Sequence, residues 1–363
     1  VEPTRIVACL SGGVDSSVAA AKLVEAGHEV IGVFMRSGVS AKPGGEQQGC
    51  CTVEDALDAR RVADQLGIPF YALNMEEAFG RLIDRFVGDY AEGRTPNPCV
   101  LCNRWLKFGH VLRFARQVEA EYVASGHYAR RLQVQGRWTL ARGADVRKDQ
   151  SYVLAVLEQE QLSRLLLPLG EQQKGEIRDE ATARGLSRVA DKRESQEICF
   201  VAGDYRELLR ERLPAGAPAL QEGPIEDEEG NEVGRHSGTA GFTTGQRKGV
   251  RVALGRPVYV HRTDPGRRLV VVGGPEGLLS REAELGELTF MASALEVGEQ
   301  VRGRAQIRAH GKSWPAVVER TERDRARITF DAPLDSVVAG QVLVLYDETD
   351  DHVLLSGWIR SSG

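Results

Sequence analysis

The stretch Cys9-Leu10-Ser11-Gly12-Gly13-Val14-Asp15-Ser16-Ser17 constrains this chain more than any other. It joins an apolar run, Ile6 to Leu10, to small apolar residues, Val18 to Ala21, through paired glycines and hydroxyls. The pattern predicts a strand, a tight loop and a helix start. Backbone N–H groups of such a loop, with the positive end of a helix dipole, form an anion site to which Ser11, Ser16 and Ser17 add donors. The expected anion is a phosphate. A Walker loop requires G-x-x-x-x-G-K-[ST], and no lysine follows Gly13 within the turn, so a nucleotide must be held in another way. A plain helix cap needs one such residue and has no use for adjacent glycines.

At 363 residues the chain exceeds a typical single core, and two or three domains are expected. No stretch is long and apolar enough to cross a bilayer, so no membrane partner is expected, and because the first residues lead straight into a strand-like run no leader is expected either. Six cysteines are too few for a disulfide scaffold, and their clustering points to chemistry in a reducing cytoplasm. A net charge of −5 excludes indiscriminate nucleic-acid binding but allows a local basic surface.

Along the chain, Glu29 to Met35 predicts a strand, and a helix begins at Thr52 with Asp55 completing a capping box. Pro69 to Met75 predicts a strand and Phe79 to Tyr90 a helix. Arg94-Thr95-Pro96-Asn97-Pro98 breaks regular structure, a helix runs from about Asn103 to Glu119, and Tyr122 to Ser125 predicts a strand followed by Gly126-His127. Alternating strands and helices imply the α/β class, a doubly wound parallel sheet, expected over residues 1–210. Ligands in such sheets sit at the carboxyl ends of strands, where the Ser11 loop, Met35 and Gly126 all fall. Prolines and glycines with short runs such as Val258 to Val260 predict a small β-rich central domain over 211–284. Regularly spaced short strands from Glu299 to Trp358 predict a β-barrel or sandwich over 285–363. Alternation of Arg304, Gln306, Arg308 and His310 would put a phosphate-binding stripe on one strand face.

Cys9 falls inside the first strand as a small hydrophobe, and Cys50 and Cys51 read as structural. Cys99 and Cys102 form a C-x-x-C in a proline-constrained loop entering a helix, where the dipole favours thiolate. Such spacing suits metal, iron-sulfur or redox duty and does not decide among them.

Ser11 to Ser16 resembles the pyrophosphate loop of the N-type ATP pyrophosphatases, which split ATP between its α and β phosphates. Thr95-Pro96-Asn97-Pro98 with Cys102-Asn103, Ser125-Gly126-His127-Tyr128, Lys148-Asp149-Gln150-Ser151-Tyr152, Ser195-Gln196-Glu197-Ile198-Cys199-Phe200 and Gly245-Gln246-Arg247-Lys248-Gly249 add to it. Together these motifs resemble the bacterial tRNA-specific 2-thiouridylase family. The resemblance implies an adenine nucleotide alpha hydrolase-like sheet and ATP bound by Ala8, Cys9, Leu10, Ser11, Gly12, Gly13, Val14, Asp15, Ser16, Met35 and Gly126, with Asp15 helping to place Mg²⁺. It implies adenylation of the C2 oxygen of a wobble uridine, then displacement of AMP by sulfur. Cys102 becomes the nucleophile at the base and Cys199 the persulfide-bearing partner. Asn97, Pro98 and Cys99 face the target base, and Lys148, Asp149, Gln150, Arg308 and His310 contact tRNA. The sulfur donor would be a persulfide carrier protein or free sulfide. The family most often has Asp where this chain has Cys99. Three thiols, Cys99, Cys102 and Cys199, match a 4Fe-4S cluster with one open iron as well as a persulfide relay, and the third thiol tips the expectation to the cluster. Two other classes stay open: an ammonia-using adenylating synthetase with the same loop, and a non-catalytic metal or redox module that binds nucleotide.

Overall fold

The structure, a computed structural model, describes residues 3–38, 52–190, 192, 198–201 and 203–362. Cys50, Cys51 and Ser195-Gln196-Glu197 lie outside the described residues. The chain opens with β1 (Arg5–Cys9), α1 (Val14–Glu25), β2 (Glu29–Arg36), α2 (Val53–Leu66), β3 (Phe70–Asn74) and α3 (Glu76–Ala91). The predicted capping box starts α2: Thr52 Oγ1 accepts from Asp55 N at 3.0 Å, and Thr52 N donates to Asp55 Oδ2 at 3.1 Å. Gly67, at φ 66°, ends it in the left-handed conformation.

The next helical segment begins earlier than expected and is wound differently. With Pro98 in its first turn, α4 (Pro98–Leu101) passes directly into a π-helix, Cys102–His110, and then α5 (Val111–Gln117). Cys99 and Cys102 therefore sit on helical backbone, not in the loop before it. Beyond β4 (Tyr122–Ala124) comes a hairpin with no counterpart in the expectations, β5 (Ala129–Val134) and β6 (Arg137–Arg142). Both its turn residues, Gln135 at φ 49° and Gly136 at φ 79°, are left-handed. Then follow α6 (Ser151–Leu154), α7 (Gln159–Ser163), β7 (Leu165–Leu166), α8 (Lys174–Ala183), α9 (Ser187–Ala190) and α10 (Tyr205–Arg212). The sheet is parallel with order β3-β2-β1-β4-β7. The chain leaves β1 toward β2 and later returns on its other side as β4, so the β1/β4 boundary is the topological switch point.

The central strands, β8 (Gly223–Glu226), β9 (Glu232–His236), β10 (Tyr259–Asp264) and β11 (Leu269–Gly273), form a sheet of order β10-β11-β8-β9. Ile225, Val260, Val270 and Val272 fill its own core. The remaining strands, β12 (Leu279–Phe290), β13 (Gln300–Gln306), β14 (Ser313–Glu322), β15 (Arg325–Asp335), β16 (Val342–Tyr346) and β17 (Val353–Ser362), close a barrel in the order β12-β15-β14-β13-β16-β17. The expected boundary at 284/285 cuts β12, which pairs with β15 from Leu279 onward, so the whole strand belongs to the barrel. The one at 210/211 cuts α10.

The barrel shares a core with the first sheet domain. All of β16 is buried: Leu343 and Leu345 point into the barrel, while Val342, Val344 and Tyr346 join Phe86, Leu140, Tyr152 and Leu154 outside it. A strand buried on both faces reads as an unbroken apolar run, as Val-Leu-Val-Leu-Tyr does here. Each such side chain contributes about 2 kcal/mol of burial, which holds the two domains as one packed unit.

Candidate active site

At the end of β1 the loop is closed by its own hydroxyls. Ser16 Oγ donates to the Gly13 carbonyl at 3.0 Å and accepts from Ser11 N at 3.1 Å, and Ser17 Oγ donates to the same carbonyl at 2.8 Å. Ser16 and Ser17 thus shape the loop, and the first-turn N–H groups of α1 are the donors that a helix leaves without partners of its own. Gly12, at φ 72°, lies so close to α2 that a Cβ would meet the Asp55 carbonyl oxygen at 2.4 Å. Gly126, just past β4, lies equally close to the loop: a Cβ there would be 2.6 Å from the Asp15 carbonyl carbon and 2.7 Å from Ser16 N. Gly126 lets the end of β4 meet the loop after β1 at the switch point, and Gly12 lets that loop meet α2. Ala8 and Leu10 are buried, so they can face a ligand only through backbone, and Met35 is half-buried near the end of β2. Cys9 is half-buried and packs against the core; burial pushes its thiol up to about 11, partly offset by the nearby Lys107 charge.

Asp15, expected to help place Mg²⁺, is engaged within the protein. Its oxygens lie 2.6 and 2.7 Å from Lys174 Nζ, at the start of α8, and Tyr128 OH donates to Oδ1 at 2.6 Å. With both oxygens on an ammonium, Asp15 does not fit a Mg²⁺ ligand as placed. Lys174, 159 residues away in the chain, is the cation that the loop's own sequence lacks. A second lysine reaches the loop from the other side: Lys192 Nζ donates to the Gly12 carbonyl at 3.2 Å and pairs with Asp55 and Asp58 of α2. Burial of Asp58 is outweighed by hydrogen bonds from Lys192 and Arg188, which hold it below the ordinary carboxylate range.

Across the switch point, Lys107 Nζ lies 3.4 Å from Nε2 of buried His127, whose Nδ1 is 2.8 Å from Ser125 Oγ. Burial and the Lys107 charge push His127 well below its usual range. A neutral ring accepting from Lys107 at Nε2 then carries its proton on Nδ1, toward Ser125.

The Thr95-Pro96-Asn97-Pro98 segment is fixed from outside its own domain. Thr95 N donates to the Ala339 carbonyl at 2.9 Å, Gln341 Nε2 donates to the Thr95 carbonyl at 2.9 Å, and a Cβ on Gly93 would meet Thr263 Oγ1 of β10 at 2.8 Å. Asn97 immediately precedes α4, Pro98 is buried, Cys99 is exposed, and Cys102 is half-buried at the start of the π-helix. Asn103 ties that start to α6 by donating to the Val153 carbonyl at 3.0 Å. Cys199 is half-buried beside Phe200, which meets Phe79 and Phe86 of α3 edge-on at 5.9 and 5.2 Å. Cys102 and Cys199 pack against the same core, whereas Cys99 faces solvent. Among the described residues no three His, Cys, Asp or Glu side chains gather to hold a metal, so the three thiols do not fit the expected cluster.

The segments expected to contact tRNA meet on one network, although the stripe expected to carry part of it does not exist. β13 ends at Gln306, which is buried, and Arg308 and His310 lie in the turn beyond it, exposed. Arg142 Nη1 donates to Asp149 Oδ2 and to Gln306 Oε1, both at 3.0 Å, and the guanidinium sits 3.8 Å from the Tyr346 ring centre. Gln306 Nε2 in turn donates to the carbonyls of Arg308 and Ala309 at 2.8 and 3.1 Å. Gln150 exchanges hydrogen bonds with the backbone of Tyr128. Residues 148–150 and 308–310, far apart in sequence, are thereby held as one surface. Lys107, Lys174, Lys192 and Arg142 escaped the sequence reading because each acts through partners distant in the chain.

Residues 4–203 match the family described as tRNA methyl transferase HUP domain, 212–274 its PRC-barrel domain, and 280–359 an aminomethyltransferase beta-barrel domain. A tRNA-specific 2-thiouridylase MnmA of Rhodopirellula baltica is 42% identical over 98% of this chain and 96% of its own length. That of Geobacter metallireducens is 46% identical over 99% and 97%. Among solved structures, a 4-thiouridine synthetase–RNA complex with bound ATP covers 57% of this chain and 50% of its own, at 18% identity and a TM-score of 0.37, too low to bear on function. The domain labels speak of methyl transfer, but the relatives that match from end to end are thiouridylases. With relatives of that kind matching from end to end and the glycine loop at the switch point, the chain belongs to the tRNA-specific 2-thiouridylase family.

Proposed function

We infer that this protein is an ATP-dependent tRNA uridine 2-sulfurtransferase that adenylates the C2 oxygen of the wobble uridine and replaces it with sulfur, releasing pyrophosphate and AMP. The observation that carries the reading is the glycine loop at the β1/β4 crevice, in the same domain as two half-buried cysteines, Cys102 and Cys199. A uracil oxygen is a poor leaving group, and its adenylation turns it into AMP. Residues Ala8 to Ser16, Met35 and Gly126 line the ATP site, and Lys174, oriented by Asp15, serves the pyrophosphate end in place of a Walker lysine. Asn97, Pro98 and Cys99 face the base. In the sulfur step a persulfide on Cys199 attacks C2 and AMP departs with the C2 oxygen. The Cys102 thiolate then attacks Cys199 Sγ, leaving sulfur on the base and a Cys102–Cys199 disulfide for an external thiol to reduce. The ammonia-using reading has no use for these two thiols, and a non-catalytic metal or redox module would give no tRNA-dependent AMP. Incubation with ATP, Mg²⁺ and unmodified tRNA is expected to release pyrophosphate and then AMP; release of ADP and orthophosphate would refute the assignment.

Transfer RNA lies on the surface built from Lys148 to Gln150 and Arg308 to His310. Asp149 is committed to Arg142, so Lys148, Arg308 and His310 are the groups that meet phosphates. Affinity is expected to fall with salt, and the Lys148→Ala/Arg308→Ala pair to flatten the log–log slope by about 2 while ATP binding is unchanged. An unaltered slope would remove these residues from the interface.

A further inference from the structure

Lys107 stands where three features of the site meet. It lies on the π-helix that begins at Cys102. Residues five apart in an α-helix point about 140° away from each other, but i→i+5 hydrogen bonding brings every fifth residue back toward one line. The same closure is seen at Gly109, where a Cβ would lie 2.9 Å from the Arg104 carbonyl oxygen. The π winding thus carries Lys107 round to the side of Cys102. Its ammonium is 3.4 Å from the ring of His127, the residue after Gly126, so it sits at the carboxyl edge of β4 beside the glycine loop. From there its charge also reaches Cys9, the last residue of β1.

We propose that Lys107 is a catalytic residue of adenylation, its ammonium contacting the α-phosphate of ATP while the uridine C2 oxygen displaces pyrophosphate. The proposal rests on the adenylation reading above. In that step the bond from the uridine oxygen to the α-phosphorus forms, the bond from that phosphorus to the bridging oxygen breaks, and pyrophosphate leaves with the electron pair. The uracil N3 proton passes to solvent. Charge on the non-bridging α-oxygens is then greatest, and a cation already fixed at the crevice stabilises it without reorganising. His127, being neutral, brings no competing charge; it accepts one N–H and aims the ammonium. A lysine suits this place because its compact charge follows the phosphate as ATP becomes adenylate, where a planar guanidinium would demand one geometry.

The test is single-turnover pyrophosphate release from ATP by the full chain with unmodified tRNA, comparing Lys107→Gln and Lys107→Arg. Glutamine keeps a donor for His127 and removes the charge; its rate is expected to fall about 10²–10³-fold, with KM for ATP and tRNA affinity within about threefold. Arginine, which keeps the charge, is expected to stay within about tenfold of the unsubstituted protein. Full rate in Lys107→Gln would overturn the proposal. So would a loss that His127→Leu reverses in the same background, since the lysine would then serve only the buried ring. Unsubstituted protein that releases no pyrophosphate would refute the adenylation reading itself, before any variant is compared.

Discussion

Cys199→Ala and Cys102→Ala proteins are expected to release pyrophosphate from ATP and tRNA at close to the full rate while forming no 2-thiouridine, a fall of at least about 10³-fold in product. The separation follows from the proposed chemistry, in which adenylation needs the glycine loop and its cations and the thiols enter only when sulfur attacks C2. Folding is not at stake, because a half-buried thiol exchanged for a methyl group leaves a small void costing about 1 kcal/mol. Nucleoside mass spectrometry beside a pyrophosphate assay reads both halves from one reaction. The exposed Cys99 faces the base without entering the sulfur transfer, and the family most often has Asp there, so Cys99→Asp is expected to keep thiolation within about threefold. Loss of product in Cys99→Asp, with iron and sulfide in anaerobically purified protein, would restore the cluster reading.

Gly12→Ala is expected to abolish ATP binding and to lower stability by about 3 kcal/mol. Two costs combine: a side chain at φ 72°, and a Cβ 2.4 Å from the Asp55 carbonyl oxygen, which is backbone at the start of α2 and cannot swing aside. Relief requires α2 to move, and with it Asp55 and Asp58, the partners of Lys192. Gly13 offers the internal control. Its Cβ would meet only Ser11 Oγ at 3.4 Å, and its backbone, φ −107°, suits any residue, so Gly13→Ala is expected to unfold within about 0.5 kcal/mol of the parent. Equal destabilisation of the two variants in denaturant titration would refute this account of the loop.

The glycine loop, the Thr52–Asp55 capping box and the alternation of strand and helix were all legible because each is local: residues within a turn of one another decide it. The π-helix was not, since apolar spacing over Leu106, Phe108 and Val111 does not separate i→i+5 from i→i+4 winding in so short a run. The β5–β6 hairpin went unseen because Gln135-Gly136 replaces the stronger Asn-Gly signal. In β12, acidic residues such as Glu282 and Glu284 on its outer face hid the strand's length. The site divides in the same way. Motif residues could be named in order, but the cations around the loop could not, since Lys174 meets Asp15 and Lys107 meets His127 only once the sheet has formed. The alternation of Arg304 with Arg308 misled because β13 stops at Gln306 and turns.

The pinning of Thr95 to Ala339 and Gln341, with Gly93 seated against Thr263, has a mechanical meaning. Two hydrogen bonds tie the segment leading to Cys99 and Cys102 to the barrel, so that its position is set by the barrel as well as by its own domain. The barrel and the thiol-bearing helix are thus mechanically joined through Thr95. On the proposed tRNA surface, a load borne by residues 308–310 of the barrel would thereby reach the helix that carries Cys102.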